Sequence, residues 1–248
     1  MKLKILSYNI HKGFDWKNQS YYIQEMKKMI QDLDVDIVFL QEVVGKNEYF
    51  KNKGMIDEQF EFLADGIWEH FSYAQNAIYD HGHHGNLILS KFPISSWENI
   101  NISTKPWEKR GMLVCKIVIP DSEKYFYATC LHLNLFHSGR KIQYRDIGNY
   151  LSMKSGNEDI PLVVAGDFND WNKQSSKYFE KVLGMKETHK MIHGYYAKTF
   201  PSVFPLLCLD RIYVKHLKIV SARLVLRSRE NPLSDHLPLL SEVEFYEK

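Results

Sequence analysis

The 248-residue chain lacks the features that mark several common classes of protein. It has no Gly-rich loop of the kind that cradles nucleotide triphosphates, no internal repeat, and no linker rich in Pro, Gly or Ser. It also lacks a strong net charge, since 32 Lys and Arg stand against 30 Asp and Glu, which gives a formal charge of +2. A chain this close to neutral has no global attraction for nucleic acid or for an anionic membrane, so phosphate binding requires a local cluster.

Cysteine and long apolar runs are scarce as well. The three cysteines, Cys115, Cys130 and Cys208, form no CxxC pair and lie in apolar runs, which indicates reduced core thiols. No apolar stretch approaches the length of a membrane span, and the N-terminal apolar segment is too short for a signal peptide. We therefore expect a cytoplasmic protein without a transmembrane segment, and the sequence indicates no obligate protein partner.

Short β-rich runs recur along the whole chain, whereas helical periodicity is scarcer. Strands are predicted over residues 4–10, 36–41, 86–90, 113–119, 125–133, 162–165, 209–214, 219–226 and 237–243. Helices are predicted after Ser20, after Gly139, from about residue 56 to about residue 68, and after Lys173. Several strands are apolar at consecutive positions and need a layer on both faces. This favours one α/β domain over residues 1–248, with packed sheets inside and helices outside.

Small polar clusters stand at the ends of many of these predicted strands. They contain carboxylates (Glu42, Asp167, Asp210 and Asp235), amides (Asn9, Asn134 and Asn169) and imidazoles (His132 and His236). Asn and Asp are common turn residues, and a lone His is more often structural than functional, so one cluster alone indicates little. Six clusters in one chain are better explained by side chains that converge on one site at an edge of the sheets.

The chemistry of this set of side chains points to a metal. Clustered carboxylates repel one another unless a cation neutralises them, and oxygen ligands without thiolates select Mg²⁺, Mn²⁺ or Ca²⁺ over zinc. Such a site beside imidazoles suits phosphoryl chemistry, in which the metal polarises a phosphate oxygen and a base activates water. The residues therefore predict an Mg²⁺-dependent phosphoesterase, in which Mn²⁺ can substitute.

A series of motifs resembles those of the endonuclease/exonuclease/phosphatase superfamily, in the same order and from residue 7 to residue 238. They are Ser7-Tyr8-Asn9-Ile10, Gln41-Glu42, Gly85-Asn86 with the strand after it, His132-Leu133-Asn134, Gly166-Asp167-Phe168-Asn169, Leu209-Asp210-Arg211 and Ser234-Asp235-His236. The superfamily includes pancreatic deoxyribonuclease, AP endonucleases, sphingomyelinases and inositol-polyphosphate phosphatases. The resemblance implies a four-layer αββα sandwich, in which two packed mixed β-sheets are flanked by helices and the site lies at one edge.

The resemblance also implies a metal-binding group and a group that acts on water. Glu42 corresponds to the main metal-binding carboxylate, with Asn9 and Asp235 near it. Asp167 and Asn169 correspond to the pair that orients water and stabilises the phosphorane-like state.

Further residues correspond to groups that contact the substrate. His236 resembles the imidazole that contacts the scissile phosphate, and Asp210 its orienting carboxylate. His132 corresponds to a second phosphate-binding or acid group, with Asn134 assisting as a substrate-binding residue. Arg110 is a phosphate clamp or, equally, an ordinary surface arginine at a strand start.

One departure from the superfamily pattern concerns the partner of His132. Members resembling deoxyribonuclease have a glutamate near the start of the strand at residue 86, and His83 and His84 stand there instead. Either imidazole could replace the glutamate, or His132 is oriented differently. His81, His83 and His84 lack the spacing of a metal site on a rigid element, and we expect a loop that lines the site.

The substrate has to be inferred from the surroundings of the site. Nucleic acid is the leading class, and a basic stripe for it consists at most of Arg223, Arg227 and Arg229, and of Lys105, Lys109 and Arg110. A phospholipid or small phosphoester is the alternative, and a binding scaffold without activity is disfavoured because the acidic and histidine positions of the motifs are intact.

The apolar segment from Phe200 to Leu207 allows two interpretations. It is either a substrate-facing loop or a packed connection, and Pro201 and Pro205 favour the packed one. In a packed segment, Phe204→Ser would cost on the order of 3 kcal/mol.

Overall fold

The computed structural model describes residues 1–48, 54–122, 124–156, 159–226 and 232–246, and twelve strands lie within these ranges. One sheet contains β1 (Lys2–Asn9), β2 (Ile37–Asn47), β3 (His70–Tyr79), β4 (Gly82–Ser90), β11 (Leu217–Leu224) and β12 (Leu239–Phe245), in the spatial order β11-β12-β1-β2-β4-β3. The other contains β5 (Ile94–Asn101), β6 (Gly111–Val118), β7 (Tyr125–His132), β8 (Leu162–Asp167), β9 (Lys186–Glu187) and β10 (Asp210–Lys215), in the order β5-β6-β7-β8-β10-β9. Both sheets are mixed, because β1 pairs with β2 and β7 with β8 in parallel while their other pairs are antiparallel.

Helices cover the outer faces of the two sheets. The described helices are α1 (Ile23–Asp32), α2 (Gln59–Ala64), α3 (His137–Ser155), α4 (Ser175–Phe179) and α5 (Thr188–His193), and a short 3₁₀ turn spans His11–Gly13. α1 packs its apolar side on the first sheet, and α3 packs Tyr144, Ile147 and Leu151 on the second. The predicted four-layer αββα sandwich is therefore confirmed.

Alternation along β2 shows how the layers are built. Ile37 and Phe39 point between the two sheets, whereas Val38 and Leu40 face the helical layer. Successive side chains of a strand point to opposite faces, so a run of four apolar residues can fill two cores at once. This is why the consecutive apolar runs indicated buried strands.

Some elements differ from the sequence prediction. All nine predicted strands form, but β3, β5, β9 and α5 were not foreseen, and β4 begins at Gly82 rather than at residue 86. β5 is mostly exposed and carries little apolar signal. The helix predicted from about residue 56 is only α2, because the chain turns at Gly66, whose φ of +84° is left-handed. No helix in the described ranges is long and apolar enough to cross a membrane.

The pairing register brings the polar strand ends to one edge of the sandwich. His132 pairs with Asp167 across β7 and β8, and Asp210 pairs with Asp167 across β10 and β8. In the first sheet, Asn9 pairs with Gln41, which places Glu42 one residue further along β2. Both sheets therefore contribute polar side chains to the same edge.

Candidate active site

A cleft of about 460 Å³ opens at this edge. Its polar wall contains Lys12, Glu42, His84, Arg110, His132, Asp167, Asn169, Asp235 and His236. Its apolar wall contains Tyr79, Leu135, Trp171, Phe200, Leu207 and Leu209. The cleft thus combines a charged floor with bulky apolar surroundings, as ligand sites commonly do.

Asp167 is the centre of the polar wall. Its Oδ2 lies 3.2 Å from Asn9 Nδ2, 3.6 Å from His132 Nε2 and 3.8 Å from His236 Nε2. Its Oδ1 accepts a hydrogen bond of 2.8 Å from the backbone N–H of Asn169. Burial raises the pKa of Asp167 to about 6, although the nearby His236 opposes the rise. The carboxylate is therefore ionised at neutral pH but basic enough to accept a proton.

His236 is held by a buried carboxylate. His236 Nδ1 lies 2.8 Å from Asp210 Oδ2, and Asp210 is fully buried. Burial alone would lower the pKa of His236, but Asp210 and then Asp167 outweigh it and raise this pKa to about 10. His236 is thus an imidazolium at neutral pH, with Nε2 turned toward Asp167.

Glu42 lies where β2 departs from regular pairing with β4. The register shifts between Leu40 and Val43, and Glu42 has a left-handed φ of +59°. This bulge turns the carboxylate toward the cleft. Burial would raise the pKa of Glu42, but the ammonium of Lys12, at 3.5 Å from Oε2, is the largest of the opposing influences, which together hold this pKa far below its usual range.

The donor set of the cleft fits a hard divalent cation in part. Glu42 Oε1 accepts a long hydrogen bond of 3.4 Å from Asn9 Nδ2, and Oε2 lies 3.5 Å from Lys12 Nζ, so the contacts of this half-buried carboxylate that the structure describes are weak ones. Asp235 also reaches the cleft, with Oδ1 3.7 Å from His11 Nδ1. Within the described ranges, no three His, Cys, Asp or Glu side chains form a ready metal cage. Mg²⁺ often binds through one or two carboxylates and takes its other ligands from water and substrate, which suits this open set.

Asn9 is oriented differently from a metal ligand. Its Oδ1 accepts a hydrogen bond of 3.1 Å from the backbone of His11, and its Nδ2 faces Glu42 and Asp167. The amide therefore bridges the two carboxylates in this structure, and its metal-binding role stays a prediction.

His132, His84 and Arg110 form the third part of the polar wall. Burial, followed by the charge of Arg110, holds the pKa of His132 well below its usual range, and burial lowers the pKa of His84 to about 4. Both imidazoles are thus neutral. Arg110 Nη2 lies 3.2 Å from Glu108 Oε1, and its buried Nε has no hydrogen-bond partner among the described residues.

His81 lies in the turn before β4, whereas His83 and His84 lie in β4, so the expectation of a loop was wrong for these two. They lie in β4 because its backbone there pairs with β2 and β3 regardless of side-chain polarity. His84 lines the cleft, whereas His83 contacts Tyr73 and Gln75 outside it. Among the described hydrogen bonds, none joins either imidazole to His132, whose side chain instead approaches Asp167.

Asn134 does not line the cleft. Its Nδ2 donates to Thr104 Oγ1 at 3.1 Å, and its Oδ1 accepts from the backbone N–H of Phe136 at 2.8 Å. The side chain shapes the turn into α3, which begins at His137. Asn169 does line the cleft, and its Nδ2 is fixed by Leu133 O at 3.0 Å.

In the segment from Phe200 to Leu207, the large apolar side chains near its end are exposed rather than packed, although Ser202 is buried, which overturns the expectation drawn from its prolines. Phe204 is 63% exposed and Leu206 53% exposed, while Phe200 and Leu207 face the cleft. Backbone hydrogen bonds between Phe200 and Leu207 close the segment on itself, so its rigidity needs no core packing. Prolines indicate a fixed backbone but not the direction of the side chains between them.

Exposed apolar side chains line part of the cleft, namely Leu135, Trp171 and Leu207, and others lie near them in the chain. We call Leu135, Phe136, Trp171, Phe204, Leu206 and Leu207 the apolar rim, and all six are exposed. Trp171 makes a cation–π contact with the fully buried Arg140, whose guanidinium lies 4.6 Å from the centre of the indole ring. Of the proposed basic stripe, Arg223 is exposed on β11, and Arg227 and Arg229 lie outside the described residues.

Sequence reasoning missed Lys12 as a cleft residue and left His84 undecided. Lys12 follows the motif Ser7-Tyr8-Asn9-Ile10, and His84 directly precedes Gly85-Asn86. The position of Lys12 three residues after Asn9 was the available signal. The direction of the Lys12 side chain depends on the left-handed turn of His11, Lys12 and Gly13, which residue types alone do not specify.

The fold is an α/β sandwich with a polar cleft at one edge, and the model of the Endonuclease/Exonuclease/phosphatase family matches residues 6–236. The chain belongs to this family, whose members are typically hydrolases of phosphoester bonds.

Individual relatives agree with this assignment. The chain is 39% identical to the uncharacterized protein YbhP of Escherichia coli K12 over 243 residues, which covers 97% of this chain and 95% of that protein. An endonuclease/exonuclease/phosphatase structure from Bacteroides vulgatus superposes with a TM-score of 0.78 at 20% identity and covers 99% of this chain and 100% of its own. The mannosyl-6-phosphatase Bt3783 of Bacteroides thetaiotaomicron gives 0.73 at 19% identity, with coverage of 98% and 100%. These two likenesses concern the fold.

Proposed function

We propose that this protein hydrolyses a phosphodiester with the help of a divalent cation, Mg²⁺ or Mn²⁺. The observation that carries the proposal is the arrangement around Asp167, with an amide and two imidazoles within 4 Å of one carboxylate oxygen. Three of these groups come from different strands, and His236 comes from the segment before β12. Their convergence in a cleft is expected of a catalytic site rather than of turns.

Glu42 and Asp235 would hold the cation, which supplies Lewis-acid polarisation of a phosphate oxygen when bound. Asp167 is the base that accepts a proton from the attacking water, as its pKa of about 6 allows. The imidazolium of His236 lies against the phosphate and stabilises the charge that develops there.

The protons balance in this scheme. The O–H bond of water breaks as its oxygen bonds to phosphorus, and the bond from phosphorus to the leaving oxygen breaks. The leaving oxygen takes a proton from His236 Nε2. Asp167, whose Oδ2 lies 3.8 Å from His236 Nε2, then passes the proton that it took from water to His236. The neutral imidazole of His132 and the guanidinium of Arg110 donate hydrogen bonds to the remaining phosphate oxygens.

The apolar rim favours a second candidate for the substrate class. The sequence places nucleic acid first, but the mouth of the cleft is lined by exposed apolar groups such as Leu135, Trp171 and Leu207. Contiguous exposed apolar surface around a polar site is typical of contact with an apolar ligand or a lipid interface. We therefore place a phospholipid or another amphiphilic phosphodiester ahead of nucleic acid.

The reaction is tested with the purified full chain and a small chromogenic phosphodiester. EDTA should abolish hydrolysis, and Mg²⁺ or Mn²⁺ should restore it. Asp167→Asn should lower turnover by at least about a hundredfold while the fold, followed by circular dichroism, is retained. Full turnover in metal-free protein, or a near-normal rate of the folded variant, would refute the scheme.

The substrate class is tested by a panel with the same preparation. Phospholipid vesicles, nicked and abasic DNA, RNA, inositol phosphates and a sugar phosphate are compared at equal enzyme and Mn²⁺. Faster hydrolysis of phospholipid supports the role given to the apolar rim. Cleavage of DNA or RNA alone would return nucleic acid to first place, and a sugar phosphate would point to a monoesterase, as the name Bt3783 mannosyl-6-phosphatase describes for that neighbour.

A further inference from the structure

Lys12 places an ammonium group beside the carboxylate that we assign to the metal. Its Nζ lies 3.5 Å from Glu42 Oε2, and its side chain is 32% exposed to the cleft. Asn9 Nδ2, at 3.4 Å, is the neighbour of the other carboxylate oxygen. Lys12 is thus the cation that balances Glu42 in this structure.

The backbone that carries Lys12 is built for this placement. His11, Lys12 and Gly13 have φ values of +46°, +57° and +85°, three left-handed residues in a row. Residues other than glycine adopt this region at a cost and keep it only where their surroundings fix it. A fixed, unfavourable turn beside a cleft is a feature of functional sites.

Hydrogen bonds and packing fix this turn. The side chain of Gln59, itself fully buried, donates from Nε2 to Lys12 O at 2.9 Å, and the backbone of Tyr22 donates to Gly13 O at 2.7 Å. A Cβ at Gly13 would lie 2.7 Å from a ring carbon of Tyr21. The turn therefore cannot relax away from the cleft, whereas the long Lys12 side chain beyond it remains free to rotate.

We propose that Lys12 occupies the place beside Glu42 until a divalent cation binds there, and then turns to the phosphate of the substrate. This inference rests on the proposed function, in which Glu42 holds the cation. An ammonium and a divalent cation repel each other and compete for the same carboxylate oxygen. The ammonium that leaves Glu42 is a point charge on a flexible stem, which suits it to bind phosphate.

The proposal predicts opposite effects on metal and on anion binding, which a merely structural lysine would not produce. In the absence of substrate, Lys12→Met should bind Mn²⁺ at least about fivefold more tightly than the unaltered chain, because the competing charge is gone. Inorganic phosphate, as a competitive inhibitor at saturating Mn²⁺, should bind at least about fivefold more weakly. Lys12→Arg keeps the charge and is the matched control, with Mn²⁺ affinity close to that of the unaltered chain.

The proposed role of Lys12 is tested by measuring the affinity for Mn²⁺ by calorimetry and the inhibition constant of phosphate. Equal Mn²⁺ affinities of the unaltered chain and Lys12→Met, or unchanged inhibition by phosphate, would overturn the inference. Lys12→Gln, which keeps a polar end, gives the same comparison if the methionine variant fails to fold.

Glu42→Gln separates this inference from the proposed function. If it loses Mn²⁺ binding while Lys12→Met matches the unaltered chain, only the role of Lys12 fails. If the unaltered chain and Glu42→Gln bind Mn²⁺ alike, or neither binds it, the proposed metal site itself fails.

Discussion

Replacing Asp210 with asparagine should remove the charge of His236 without removing its hydrogen-bond partner. The two side chains are 2.8 Å apart and almost fully buried. At an effective dielectric constant of about 20, opposite charges at this distance attract by about 6 kcal/mol, and one pKa unit corresponds to about 1.4 kcal/mol. Since burial opposes the charged form, Asp210→Asn should bring the pKa of His236 from about 10 to below about 7.

The assay is a titration of the imidazole nitrogens by NMR in metal-free protein labelled with ¹⁵N-histidine, over about pH 5 to about pH 11. His236→Gln assigns the signal among the 11 histidines. Asp235→Asn is the matched control, because Asp235 contacts His11 and Ser234 and raises the pKa of His236 less than Asp210 or Asp167 does; it should move this pKa by less than about 1. A signal that still titrates near pH 10 in Asp210→Asn would refute the reasoning.

The same substitution has a consequence for stability. The pKa of His236 is raised in the folded state, so its charged interactions stabilise the fold fully below pH 6.5 and are lost as the pH rises through about 10. Urea unfolding of the unaltered chain should therefore show a loss of stability over this window. Asp210→Asn should show a smaller loss, and equal slopes would contradict the assignment.

Two further changes test the structure away from Asp210. Burial raises the pKa of Glu187 from 4.5 to about 7, although the charge of Arg211 opposes the rise. The free energy of unfolding should therefore fall by about 3 kcal/mol as the pH rises from 4.5 through about 7. Glu187→Gln should remove this pH dependence in urea titrations at both pH values, and an unchanged slope would show that Glu187 is not its source. Phe204→Ser alters a side chain that is 63% exposed, so the melting temperature should change little. Binding to phospholipid vesicles, measured by sedimentation, should weaken. A large drop in melting temperature would show that Phe204 is packed after all.

The strands that bury side chains on both faces could be predicted from the sequence. β2 has four consecutive apolar residues before Gln41 and Glu42, and β8 has four before Gly166 and Asp167, so both the strands and the polar residues that follow these runs could be predicted. β5 was missed because its exposed side chains carry little hydrophobic pattern, and its place follows from backbone pairing with β6. Tertiary contact, rather than local preference, decides such strands.

Within the cleft, residue types could be predicted but their directions could not. The bulge at Glu42 and the turn at Lys12 depend on left-handed backbone angles that distant residues such as Gln59 fix. Asn134 illustrates the opposite case, because its motif position suggested substrate binding while its amide is used by the turn before α3. A motif specifies which groups are present, and long-range packing decides which of them face the ligand.

The position of β1 between β2 and β12 has a consequence for biosynthesis. β1 is made first among the strands, yet one of its edges stays without its partner until residues 239–245 have left the ribosome. Asp235 and His236 belong to the same late segment, so a nascent chain can hold Glu42 and Asp167 but not the completed site. Until β12 is available, the unfinished sheet presents an unpaired strand edge of the kind that chaperones recognise. A site that needs Asp235 and His236 can thus form only after this late segment has been translated.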